Sequence, residues 1–121
     1  MTDTDDTDAR RPEVRSLGAA DGRAVLWGLA STDLNVNLVQ WPAGEGVDAH
    51  VNAERDVLLV ILAGGGTVTV DDEDIAVTAE QCVLVPSGTT RVVREGEDGI
   101  RYMTVDRRRP PLKLGHAGPT G

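Results

Sequence analysis

Residues 57–63 read Val-Leu-Leu-Val-Ile-Leu-Ala, and glycines fill positions 64–66. The run is apolar at every position, so the element it forms must be covered on both faces. Seven residues are short for a helix, and the β-branched side chains and flanking glycines favour a strand. A strand covered on both faces needs a second layer, which places it inside a sandwich or barrel. The chain has no Phe, and its aromatics are Trp27, Trp41 and Tyr102, so the core must be built from Val, Leu, Ile and Ala. Short Val- and Gly-rich runs bounded by turn residues read as further strands.

In chain order, Glu13–Leu17 and Arg23–Leu29 flank Asp21-Gly22 and read as a hairpin. Asn35–Trp41 follows, stopped by Pro42 and Gly44, and then come Val47–Asn52 and Asp56–Leu62. Thr67–Val70 alternates, with threonines on one face and valines on the other. The acidic tip Asp71–Asp74 lacks the spacing and the glycine of an EF-hand loop, so a solvated turn is expected there. Ile75–Thr78, Gln81–Val85, Thr90–Arg94 and Gly99–Asp106 complete an all-β chain of about ten short strands. In the central run, Leu58 and Val60 are expected to be buried, with Val83 beside them. The expected organisation is an acidic disordered tail over 1–12, one β-barrel over 13–106, and a C-terminal loop over 107–121.

The net charge is -8, which argues against a nucleic-acid surface. No apolar stretch is long enough to span a membrane, and the acidic N-terminus lacks the apolar segment of a secretory signal. The single cysteine, Cys82, sits in an apolar run and has no internal disulfide partner; burial and a reducing cytoplasm are the expectation.

Candidate chemistry gathers around Asp48-Ala-His50-Val-Asn52, where strand periodicity puts Asp48, His50 and Asn52 on one face. Asp56 follows on the next segment and is placed to return to the same pocket. Histidine is the side chain whose unperturbed imidazole suits proton transfer near neutral pH, so His50 is the candidate acid–base residue; a hydrogen-bonded histidine at a barrel mouth is the structural alternative. Gln40 and Tyr102 are candidate pocket linings.

Two stretches together resemble the motifs of a small single-domain cupin. The first runs from Gly44 through His50, with Asn52 at the family's second histidine and Asp56 at its glutamate at the shorter spacing, which leaves the closing Gly64 one residue late; at the longer spacing Gly64 fits and the acid position becomes Val57. The second carries Pro86 and Gly88, with Glu80, Arg91 and Glu95 replacing the family's glycine, histidine and asparagine. The resemblance covers roughly residues 23–106 and implies a double-stranded β-helix (jelly-roll) barrel.

It also implies that ligand-binding residues come from His50, Asn52, Asp56, Arg91, Gln40 and Tyr102. Cupins commonly hold a divalent transition metal with imidazoles and a carboxylate, and of those ligands His50 alone is retained unchanged. Arg91 carries a fixed positive charge in place of a ligand. No cofactor is therefore expected, and a bound metal would have to use His50, Asp56 and Asn52. Arg91 either pairs with Asp56 or another inward acid as a plug, or holds a ligand's carboxylate, sulfonate or phosphate. The implied function is binding of a small, anion-compatible molecule by a cytoplasmic homodimer without nucleic-acid or membrane partners. The alternatives are a unit without a ligand and a cupin enzyme. The enzyme would be a metal-dependent oxygenase or isomerase with altered ligands, or a metal-free isomerase or cyclase using His50 as base.

Overall fold

The structure, a computed structural model, describes residues 11–18, 21–45 and 48–108. The expected tails over 1–12 and 107–121 lie, at 1–10 and 109–121, outside the described residues. Among the described residues there are seven strands and no helix: β1 (Ala24–Ala30), β2 (Leu34–Trp41), β3 (Asp48–Asn52), β4 (Val57–Val70), β5 (Glu73–Thr78), β6 (Cys82–Val85) and β7 (Thr90–Arg107).

All pairings are antiparallel, and the two long strands carry the architecture. β4 and β7 pair along nearly their whole length, from Val57↔Asp106 to Val70↔Arg91. At one end of this ladder β2 pairs residues 100–107 of β7, β1 pairs β2, and β6 pairs residues 57–60 of β4. At the other end β3 pairs residues 90–94 of β7, and β5 pairs residues 65–70 of β4. Leu59 and Tyr102 from the first end share one core cluster with Val68 and Val93 from the second. The ladder therefore folds over on itself, and its two halves become the facing layers of a jelly roll.

The bend explains why about ten expected strands become seven. The glycines at 64–66, expected to close a strand, lie inside β4, and the runs on either side of them are one strand. The two final runs likewise merge into β7. Register shifts fall between Ile61 and Ala63 and between Gly64 and Gly66. Gly64 has φ +69°, and a Cβ there would collide with the carbonyl oxygen of Gly99. Only glycine permits both the left-handed backbone and that approach. Glu13–Leu17 is a further correction: it forms no strand, and instead Trp27 Nε1 donates to the Ser16 carbonyl at 3.0 Å.

The core consists of alternate residues on the inner faces: Val57, Leu59 and Ile61 of β4, Val85 of β6, Val68 and Val93, and Ile100 and Tyr102 of β7. A fully buried aliphatic side chain such as Leu59 contributes about 1.5–3 kcal/mol from burial. Leu58 and Val60, expected to be buried, are only half-buried, and so is Val83. A run apolar on both faces does not reveal which parity points inward. Leu58 pairs with Leu84, and Val60 with Cys82, on the outer face. Leu84 and Cys82 are exposed there, so the expected burial of Cys82 also fails. The acidic tip is exposed throughout, as a solvated turn should be.

Candidate binding site

Arg91 enters the barrel by register. It lies opposite Val51 of β3 and Val70 of β4, on the inward face shared with Val93. The start of β7 is pinned by Asp71, whose backbone N–H donates to the Thr90 carbonyl at 2.7 Å. The Asp71 carboxylate accepts from the Thr90 N–H at 3.0 Å. Arg91 is 8% exposed, and its Nε is buried with no hydrogen-bond partner. Among the described residues no ion pair falls on its guanidinium. Burial pulls its pKa below the ordinary value, while the negative charges available at Tyr102 and Asp106 pull it back up. An unpaired buried cation is costly, and ligands or strong hydrogen bonds offset that cost.

The wall facing Arg91 comes from the other half of the same strand. Along β7, Tyr102, Thr104 and Asp106 point inward beside Val39, Asn37 and Asn35 of β2. The inner surface thus grades from apolar at Tyr102, through neutral polar at Thr104 and Asn37, to charged at Asp106. Arg55, in the turn between β3 and β4, reaches this rim and places Nη1 3.3 Å from Asp106 Oδ2. That turn is fastened to the Pro86–Thr89 turn: Ala53 N–H donates to the Thr89 carbonyl at 2.8 Å, and Gly88 N–H donates to the Ala53 carbonyl at 2.7 Å. Arg91, Arg55, Asp106, Thr104, Asn35 and Asn37 line a cavity of about 240 Å³ together with Val51, Asn52, Ala53, Glu54 and Val57. A larger depression of about 320 Å³ lies on the outer face over Leu58, Leu62 and Cys82. It contains no unpartnered buried charge, so chemistry rather than size singles out the cavity of Arg91.

The residues singled out in the sequence are not brought together. Asp48, His50 and Asn52 do share a face, but it is the outer one. Asp48 pairs with Arg94 at 2.8 Å, the Thr90 hydroxyl donates to Asn52 Oδ1 at 3.3 Å, and His50 lies opposite Val92 and is exposed. Asn52 reaches the cavity rim; His50 does not line the cavity. Asp56 is exposed and accepts from the Ser87 N–H at 2.9 Å, so the expected plug between Arg91 and Asp56 does not form. Gln40 faces outward and accepts from Arg101 Nε at 2.9 Å. Tyr102 is buried in the core below the cavity, where its hydroxyl accepts from Trp41 Nε1 at 3.4 Å. Burial raises its pKa above the ordinary phenol value; the Trp41 hydrogen bond and the Arg91 charge act in the opposite direction.

A strand slipped by one residue turns every side chain over, and the sequence does carry the sign of the true parity of β3. Val51 and Ala53 alternate with His50 and Asn52: Ala53 is buried and Val51, 41% exposed, borders the cavity, whereas His50 is exposed opposite Val92. Asn35 and Asn37 were legible in a similar way, as two amides at strand spacing between apolar neighbours. Arg55 carried no such signal, because it sits in a turn.

The donor set does not fit a divalent metal. Among the described residues no group of three or more His, Cys, Asp or Glu side chains comes together. Facing the cavity, the second motif offers the Arg91 guanidinium, which has no lone pair to give.

The chain belongs to the cupin family: the family described as cupin domain matches residues 37–106. Among solved structures, it is 26% identical to a cupin superfamily protein from Desulfitobacterium hafniense, over 81% of this chain and 94% of that one, with a TM-score of 0.65. An RmlC-like cupin family protein with a double-stranded β-helix fold from Methanocaldococcus jannaschii gives 19% identity, 82% and 93% coverage, and a TM-score of 0.67. The DMSP lyase DddQ from Ruegeria pomeroyi gives 20% identity, 69% and 42% coverage, and a TM-score of 0.58. No sequence among curated proteins matches the chain.

Proposed function

We propose that this cupin domain binds a small anionic molecule in the cavity faced by Arg91, with the guanidinium as its fixed anchor. One observation carries this: Arg91 is 8% exposed, its Nε is buried without a partner, and it borders a cavity of about 240 Å³. A bound carboxylate would supply the missing acceptor and the missing charge together. Cupins host many chemistries, and DddQ shares the fold as an enzyme. For this chain the outward placement of His50 gives the catalytic alternative no base in the cavity from that residue. Binding is the function supported best.

The same proposal includes a cytoplasmic homodimer. Leu58 and the 61% exposed Leu84 form an apolar outer face beside edge strand β6, where a second copy would cover both the patch and the edge. No described helix is long and apolar enough to cross a membrane.

The test is thermal unfolding in a buffer free of carboxylates and phosphate, titrated with small anions. Wild type should show a saturable rise in Tm, and Arg91→Met should show none. An equal response in the two proteins would remove Arg91 from the site.

A further inference from the structure

The anion is constrained by what shares the cavity with Arg91. We propose that the ligand is a small monocarboxylate carrying a hydroxyl or oxo group beside its carboxylate, and that Asp106 turns dianions away. This rests on the anion-binding function proposed above and specifies its substrate class.

Charge limits the ligand first. Arg91 and Arg55 share the cavity with Asp106 and, at its exposed rim, Glu54, so two cations meet two carboxylates and the lining has no surplus positive charge. Arg55 is already engaged by Asp106 at 3.3 Å, so Arg91 is the cation left for a ligand. One carboxylate matches its fork of N–H donors. A second negative charge in the same space would meet Asp106 without a cation of its own, and such repulsion grows as the site is shielded from water.

The neutral lining limits the rest of the molecule. Asn35, Asn37 and Thr104 make no side-chain hydrogen bond among the described residues. Amides and a hydroxyl both donate and accept, so a hydroxyl or oxo oxygen next to the carboxylate finds a partner among them. A purely hydrocarbon tail would take water from these groups and return nothing, which is an effective way for a site to reject an analogue. Val51 and Val57 offer contact for a methyl or methylene. The volume is below the roughly 300–1,000 Å³ of sites for drug-sized molecules, which fits a ligand of few heavy atoms. Gly28, paired with Asn37, leaves room for the amide: a Cβ there would stand 2.8 Å from Asn37 Oδ1.

Isothermal titration of the full chain with lactate, pyruvate, propionate, malonate and sulfate tests the proposal. Lactate or pyruvate should bind saturably, with propionate, malonate and sulfate each weaker by roughly tenfold or more. Asp106→Asn should narrow the gap between lactate and malonate. If malonate or sulfate binds wild type as tightly as lactate, and Arg91→Met abolishes it, the anion site stands and the monocarboxylate assignment falls. Propionate binding as tightly as lactate would overturn the requirement for the neighbouring oxygen. If none of the five binds, the anion-binding function falls as well. Should Asp106→Asn fail to fold, the wild-type ratios still decide the matter.

Discussion

Asp106 is held by Arg55 at 3.3 Å and not by Arg91, the more deeply buried of the two arginines. The outer arginine takes the carboxylate, and the inner one keeps a buried Nε with no acceptor. In a chain with a net charge of -8 this is not for want of acids; it follows from where the strands put them. Asp56 and Asp48 are engaged at the surface by the Ser87 N–H and by Arg94.

The unpaired guanidinium should be a liability in the empty protein. Arg91→Met keeps an unbranched apolar chain of similar reach and removes the unsatisfied donor. We expect it to stabilise by about 1–3 kcal/mol in urea unfolding without added anions. A loss of about 3 kcal/mol or more would mean that Arg91 is paired within the folded chain.

The parity of β4 can be read from two neighbours. Leu59 is fully buried, whereas Leu58 is half-buried on the outer face. Leu59→Ala should cost about 2–5 kcal/mol. Leu58→Ala should cost clearly less in the monomer, about 1 kcal/mol, because part of its surface already meets water. Comparable losses measured at a concentration that keeps the protein monomeric would contradict the inward parity assigned here.

Tyr102 gives a spectroscopic handle, as it is the single tyrosine of the chain. Burial raises its folded pKa above the unfolded value of about 10. Between these two values the folded chain keeps a proton that the unfolded chain has released. Its stabilising contribution is therefore complete below about pH 10 and lost as the pH rises through the folded value. Absorbance titration should show tyrosinate forming later in native than in urea-unfolded protein. Tyr102→Phe should flatten the fall of Tm with pH in that window; an unchanged slope would assign it to other groups.

Elemental analysis tests the donor set. Protein purified without added metal should carry well under one equivalent of Fe, Mn, Ni, Cu or Zn, and a chelator should leave its Tm unchanged. Stoichiometric metal lost on His50→Ala would require β3 to present its other face to the barrel.

The fold was legible because Val-rich runs, glycines and turn residues agree at every level, and because two separated motifs kept the spacing of the cupin domain. What could not be read was direction. Val57–Ala63 is apolar on both faces, so its periodicity cannot say whether Leu58 or Leu59 points inward. Motif spacing placed His50 inside, while register places it outside: Val51 lies opposite the inward Arg91 and Ala53 is buried, whereas His50 lies opposite Val92 and is exposed. The glycines at 64–66 looked like an end and proved to be a bend, because their partners across the ladder, around Gly99, come from far along the chain. Arg91 was the candidate whose importance was visible in the sequence; Arg55, Thr104 and Asp106 joined it through pairings that no local pattern displays.

Arg91 and Asp106 border one cavity, yet they stand on a single strand at positions that full extension would hold about 50 Å apart. No local piece of the chain can therefore preassemble the pocket: it comes into being when the whole β4–β7 ladder closes. Occupancy should accordingly be felt as a global event, slowing hydrogen exchange in both layers to the same degree and leaving no half of the molecule free to open alone.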